Sequence, residues 1–166
     1  MFELKKLPPE AVASAIALAD RYRLLNEPRE AESICRDVLA VEPENQEAMT
    51  MLILALTDRF QADLAPAFNE ARELVKRLPD GYCQAYYEGI ICERRAKAHL
   101  DREVPGAGSV AYEWFRRAMD AYEKAMLCSP AEKADSLLRW NTCARVIMTN
   151  PSVTEPIDDS GVQMLE

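Results

Sequence analysis

The chain has 166 residues and a mass of 18.7 kDa, enough for one domain that buries most of its unfolded surface. Hydrophobic residues make up 49% and charged residues 29%, an ordinary composition, and the low counts of five glycines and ten prolines exclude collagenous and Gly-rich low-complexity classes. Asp and Glu outnumber Lys and Arg by 28 to 20, and the net charge is −8. Because nucleic acids and anionic membranes are bound by clustered cations, we expect neither as a partner.

The start of the chain, MFELKKLPPEAV, lacks the apolar core of a signal peptide. No apolar run is long enough to span a membrane. These two features together predict a cytoplasmic protein.

Cysteine usage predicts a reducing compartment. The chain has five cysteines, an odd number, and none forms a CxxC pair, which argues against a disulfide framework and a zinc site. We expect them to be small buried side chains. The alternative is a reactive thiol, for which Cys83 is the best candidate, because the first turn of a helix favours a thiolate.

The elements are expected to be helical throughout, because Ala, Leu, Glu, Arg and Met dominate and no stretch alternates like a strand. Prolines fall near the expected helix starts and ends. Short connections imply that successive helices are antiparallel. The longest internal loop is expected at 101–109. The seven predicted helices are 9–25, 28–41, 45–59, 64–77, 82–101, 109–128 and 131–149.

Two segments are predicted from this pattern: a single helical domain over residues 1–149 and a tail over 150–166. The tail sequence, NPSVTEPIDDSGVQMLE, has four acids, no bases and no helical period, which predicts disorder. One hypothesis is that this acidic tail folds back onto a basic part of the domain and competes with a partner.

An internal repeat is visible in three segments that each end in a proline: REAESICRDVLAVEP, APAFNEARELVKRLP and RAMDAYEKAMLCSP. The closing prolines, Pro43, Pro79 and Pro130, are 36 and then 51 residues apart. An alanine and a large apolar residue in each segment keep the same two intervals, which argues against chance. They are Ala31, Ala67 and Ala118, followed by Leu39, Val75 and Met126.

This pattern resembles the tetratricopeptide repeat (TPR) family, whose unit is a pair of helices of about 34 residues. The first repeat offers Ala15, Leu18, Ala19 and Tyr22 at the family's spacing, and the third opens with AYYEGI. The resemblance implies an all-α solenoid of antiparallel helix pairs, with about three repeats and a C-terminal capping helix. In the cap, Leu137, Trp140, Ala144 and Ile147 share the expected inner face.

The third repeat is about 17 residues longer than the family unit. The excess is helical in composition, so we expect its two helices to protrude as a long hairpin. Trp114 and Phe115 are expected to be core anchors, and the alternative is partial exposure on that hairpin.

Catalysis is not expected. His99 is the only histidine, and no GxSxG, P-loop, HExxH, dinucleotide or EF-hand motif occurs. We therefore predict no catalytic residues, no cofactor and no metal site.

The resemblance implies a partner-binding groove lined by the first helix of each pair. Its first half is acidic to neutral and its second half basic. The predicted groove residues are Ile16, Asp20, Arg23, Glu47, Thr50, Leu54, Asp58, Gln84, Tyr87, Ile91, Arg94, Arg95, Leu138 and Arg145. The clamp with which some family members grip chaperone C-termini is absent in its usual form, because Ile16 and Asp20 occupy its places.

The predicted function is a non-catalytic adaptor or scaffold that binds a peptide or helix of another protein in this groove. The basic residues Arg94, Arg95 and Arg145 would bind acidic groups, or else pair with surface acids such as Glu93 and Glu103. One alternative is a small chaperone of a secretion-system client. Another is a module that self-associates, for example as a homodimer, through the long hairpin.

Overall fold

The computed structural model describes residues 2–62, 64–102, 104–130 and 133–156, and the described part is all-α without a strand. The predicted all-helical class and the number of helices are confirmed. The helices are α1 (Val12–Leu24), α2 (Pro28–Val41), α3 (Gln46–Thr57), α4 (Leu64–Val75), α5 (Gly81–Leu100), α6 (Ala107–Leu127) and α7 (Asp135–Thr149). None of them is long and apolar enough to cross a membrane.

The helix starts follow from local chemistry. Pro28 begins α2, where its missing N–H costs nothing. The side chain of Asn45 accepts a hydrogen bond from the Ala48 amide at 2.9 Å and caps α3. Asp80 accepts one from the Cys83 amide at 2.7 Å and caps α5. Each cap satisfies an amide that has no partner within its own helix.

Two helices begin later than predicted. Residues Pro9–Ala11 form a 3₁₀ turn, so α1 begins at Val12. The last helix, α7, begins at Asp135 rather than 131, because a turn joins the Lys133 amide to the Pro130 carbonyl at 3.0 Å. Sequence patterns resolve such terminal turns poorly, since the same residues favour both turn and helix.

Packing follows the order of the chain. Each helix packs against the next, and α1 with α3 and α3 with α5 also pack. The three repeat alanines, Ala31, Ala67 and Ala118, are all buried, as close approach between helices requires. One core cluster joins α1 to α5, and a second joins α5, α6 and α7.

The α5–α6 hairpin is packed near its tip rather than free. Gln61 Nε2, after α3, donates to Asp101 Oδ2 at 2.5 Å. A Cβ on Gly108 would lie 1.8 Å from the backbone oxygen of Ser152, so the segment after α7 lies directly on α6. Phe115 is fully buried, in agreement with its expected role as a core anchor and against the alternative of partial exposure. Trp114 is half-buried against Phe68 of α4.

The inner face of α7 is rotated from the predicted one. Ser136 and Cys143 are buried, whereas Leu137 is 48% exposed. Trp140, Ala144 and Ile147 are partly buried against the second core cluster. This rotation lets α7 contact a charged residue of α5. The sequence does not predict that this residue is buried.

That residue is Glu93 of α5, which is fully buried and was expected at the surface. It accepts hydrogen bonds from Tyr122 Oη at 2.6 Å and Lys97 Nζ at 2.5 Å, and from Arg139 Nη1 at 3.1 and 3.2 Å. Burial raises the pKa of Glu93, but these donors and the charges of Lys97 and Arg139 bring it below its ordinary value. We call these four residues the Glu93 network; it ties α5, α6 and α7 together.

Val153 anchors the segment after α7, because it is 3% exposed within the second core cluster. The predicted tail, 150–166, therefore begins with packed residues, and 157–166 lie outside the described residues.

A chain ending at residue 149 should lose about 2 kcal/mol of unfolding free energy, the value of one buried aliphatic side chain. A chain ending at 156 should lose none. Urea denaturation of both truncations measures the difference, and equal stabilities would contradict it.

Candidate functional site

A cavity of about 520 Å³ opens between the carboxyl ends of α1 and α3 and the last turns of α5. These ends lie together because α1 packs against α3 and α3 packs against α5. The carbonyl groups of a helix end carry partial negative charge, which basic side chains complement. Three such side chains line the cavity: Arg23, Arg94 and Lys97.

Asp58, the residue that follows α3, holds two of these cations together. Its Oδ2 accepts from Arg23 Nε at 2.9 Å and its Oδ1 accepts from Arg94 Nη1 at 2.8 Å. The Asp58 and Arg23 side chains are each 16% exposed, and that of Arg94 is 32% exposed. Three residues predicted for the groove, from α1, from the C-cap of α3 and from α5, thus meet at one point. Since one carboxylate balances two guanidinium groups, this point is locally positive.

The rest of the cavity wall was not predicted. Lys97 and Asp101 follow Arg94 on the same face of α5, at the next two turns. Leu24, at the end of α1, is 80% exposed and lines the rim. These residues could have been predicted by extending the predicted groove face for one more turn along each helix.

A second group of predicted residues lies on α3 and α5. Thr50 Oγ1 donates to the Glu47 carbonyl at 2.9 Å, and Leu54 and Tyr87 both pack against the second core cluster. Burial raises the pKa of Tyr87, and the nearby Thr50 hydroxyl partly opposes this rise. Tyr87 is half-buried and serves mainly as packing between α3 and α5.

Four predicted groove residues have other roles in the structure. Ile16 and Ile91 are buried in the core, so neither side chain lines a groove. Gln84 Nε2 donates to the Leu78 carbonyl at 2.9 Å and fixes the turn before α5. Arg95 faces α4 and α6, with its guanidinium 4.0 Å from the ring centre of Phe68. Helix neighbours diverge by about 100°, which is why Arg94 and Arg95 face different sides.

The remaining predicted residues are exposed and do not line the cavity. Asp20 lies on α1, Glu47 lies on α3, and Leu138 and Arg145 lie on α7. Leu138 is 58% exposed. The structure therefore gathers Arg23, Asp58 and Arg94, and leaves these four apart.

The described residues offer little reactive chemistry. No three His, Cys, Asp or Glu side chains among them are placed to hold a metal ion. Burial raises the pKa of Cys83, and the neighbouring Asp80 carboxylate raises it further, so the helix start does not activate this thiol. Burial also raises the pKa of Cys35, Cys92 and Cys143 to about 12. These thiols remain protonated near neutral pH.

Comparison with known proteins yields no match: no protein-family model, curated protein or solved structure is similar to this chain. The tetratricopeptide resemblance therefore stays a prediction drawn from the repeat positions.

Proposed function

We propose that the chain is a tetratricopeptide-like interaction module that binds a segment of another protein at the α1–α3–α5 cavity and catalyses no reaction. The observation that carries this proposal is the convergence of Arg23, Asp58 and Arg94, from three alternate helices, on one open cavity. Packing of each helix against its neighbours, together with α1–α3 and α3–α5 contacts, supports the helix-pair arrangement.

The chemistry of the cavity indicates the kind of segment. Exposed Leu24 at the rim offers apolar contact, and the locally positive pairing of Arg23 and Arg94 around Asp58 favours an acidic group. A peptide or helix with an apolar side chain next to an acidic one satisfies both features.

The test is photo-crosslinking of the full chain in cells of its source. A benzophenone amino acid replaces Leu24, and in a control replaces Leu127, which is 87% exposed at the end of α6 and outside the cavity. We expect a crosslinked protein from position 24 that is absent from position 127. A crosslink to a second copy of the chain would instead support self-association. Equal crosslinking from both positions would contradict binding at the cavity.

A substitution at the same two positions gives the affinity. Leu24→Asp should weaken binding of the crosslinked partner about tenfold, as expected for an apolar contact at an interface. Leu127→Asp should leave affinity within about twofold. Both side chains are exposed, so thermal stability should change little in either variant. Isothermal titration calorimetry measures both affinities, and an equal loss in both variants would contradict the assignment.

A further inference from the structure

A cluster of arginines and aromatic rings lies between α4, α5 and α6, away from the cavity lining. Phe68 and Trp114 meet edge to face, with ring centres 5.4 Å apart. The Arg95 guanidinium lies 4.0 Å from the centre of Phe68 and 4.1 Å from that of Trp114. Arg117 lies 4.5 Å over Trp114, and Arg72 lies 5.6 Å over Phe68. We call these five residues the arginine–aromatic cluster.

The cluster has more positive charge than its acids balance. Arg72 pairs with Glu88 at 3.1 Å. Within the described residues, no carboxylate pairs with Arg95, Arg117 or the nearby Arg102. Burial lowers the pKa of Arg95, and the charges of Arg117, Arg72 and Arg102 lower it further, so these cations repel one another. In a chain of net charge −8, such a local excess of cations stands out.

Two buried nitrogen atoms beside the cluster have no hydrogen-bond partner among the described residues. They are Nε of Arg95 and Nε2 of His99. These residues are four apart on α5, and Arg102 follows three positions later, so all three lie along one face. A buried polar atom without a partner is costly, and its presence calls for an acceptor that arrives from outside the chain.

We infer that the arginine–aromatic cluster, with His99 and Arg102, binds a phosphoryl group. Arg95, Arg117 and the nearby Arg102 have no carboxylate partner among the described residues. A phosphoryl group offers about two negative charges and three acceptor oxygens. A carboxylate would balance one cation and leave two. The rings hold the guanidinium groups of Arg95 and Arg117 in place, and the exposed side chains of Arg102 and Arg117 are accessible to an oxyanion. This site uses a different face of α5 from the cavity and does not depend on the proposed function.

Trp114 provides the readout. In a Trp140→Phe background it is the only tryptophan. Inorganic phosphate is titrated at pH 7.5 with ionic strength held constant by sodium chloride. We expect a saturable change in Trp114 emission. With Arg102→Gln and Arg117→Gln added, the association constant should fall at least about tenfold, because two charge-assisted hydrogen bonds are lost.

Arg116→Gln is the matched control for Arg117→Gln alone, since each removes one positive charge from α6 and Arg116 is an exposed neighbour without a cation–π contact to the rings among the described residues. Its association constant should stay within about twofold of the parent value. An equal loss in the control, or a response to phosphate no larger than that to chloride, would overturn the assignment. Arg102 and Arg117 are exposed, so both variants should fold, and circular dichroism verifies this. Phosphorus NMR line broadening on the unmodified chain gives an independent measure.

The source of the phosphoryl group is distinguished by two further titrations. A short peptide containing phosphoserine is compared with its unphosphorylated form and with inorganic phosphate. Tighter binding of the phosphopeptide would identify a phosphorylated protein segment as the ligand. Tighter binding of inorganic phosphate would identify a small phosphate compound. Binding of the unphosphorylated peptide as tightly as the phosphopeptide, without binding of phosphate, would overturn the assignment.

Discussion

Replacing Glu93 with glutamine is expected to lower the free energy of unfolding by about 3 kcal/mol. The carboxylate is fully buried and accepts hydrogen bonds from Tyr122, Lys97 and Arg139. A neutral amide removes the negative charge that balances two cations, and its own N–H group faces donors rather than acceptors. Lys97 and Arg139 are 40% and 31% exposed, which lets them reach water and keeps the loss at the lower end of the range for buried pairs.

The control for this prediction is Glu88→Gln, the same change at a partly exposed ion pair on the same helix, which should cost less than about 1 kcal/mol. Urea denaturation at pH 7 measures both variants. If Glu88→Gln costs as much as Glu93→Gln, the effect is not specific to the buried network.

The Glu93 network also predicts how stability depends on pH. The pKa of Glu93 in the folded chain lies below its ordinary value of 4.5. A carboxylate of this kind stabilises the fold above its unfolded pKa, and this contribution is lost as pH falls through the folded pKa. The stability gap between the original chain and Glu93→Gln should therefore be full at pH 7 and shrink below about pH 4.5. A gap that stays constant down to pH 3 would contradict this account.

Replacing Gly89 with alanine is expected to lower the unfolding free energy by about 2 kcal/mol. A Cβ at this position would lie 2.4 Å from Cε1 and 2.6 Å from Cδ1 of Tyr122. That ring is fully buried, and its hydroxyl group donates to Glu93, so it cannot move without losing the hydrogen bond. Alanine gains about 1 kcal/mol in helix propensity, which offsets only part of the loss.

Gly81→Ala is the matched control, because Gly81 lies in the same helix and its nearest neighbour, Cys128 Sγ, would be 3.8 Å from the new Cβ. This contact is an ordinary one, so stability should stay the same or rise slightly. Thermal unfolding followed by circular dichroism compares the two. A Gly89→Ala variant as stable as Gly81→Ala would show that the Tyr122 ring has room to move.

The helices were predictable because their signals are local. Helix-forming residues and prolines determine where each one begins and ends, and the buried repeat alanines Ala31, Ala67 and Ala118 follow from sequence spacing alone. The structure also gives Gly89 a reason for its place in AYYEGI, because only a residue without a side chain fits against the Tyr122 ring.

The burial of Glu93 was not predictable, because its partners Tyr122 and Arg139 lie 29 and 46 residues further along the chain. Nothing near Glu93 in sequence distinguishes it from a surface acid. Prediction of the site is limited in the same way at Arg94 and Arg95. Adjacent side chains on a helix point in directions that differ by about 100°. A small error in helix rotation decides which of the two reaches the cavity, and spacing alone cannot fix that rotation.

The position of α5 between the two core clusters has a consequence for how the chain opens. This helix gives Ile91 and Ala98 to the first cluster and Ile90 and Cys92 to the second. Opening either half leaves α5 covered on its other side, so its amide hydrogens should exchange with solvent most slowly. Amides of α1 and α7, each covered on one side, should exchange through local opening well before the whole chain unfolds. The molecule then opens from its two ends toward a central helix, and a substitution that weakens one end speeds exchange there first.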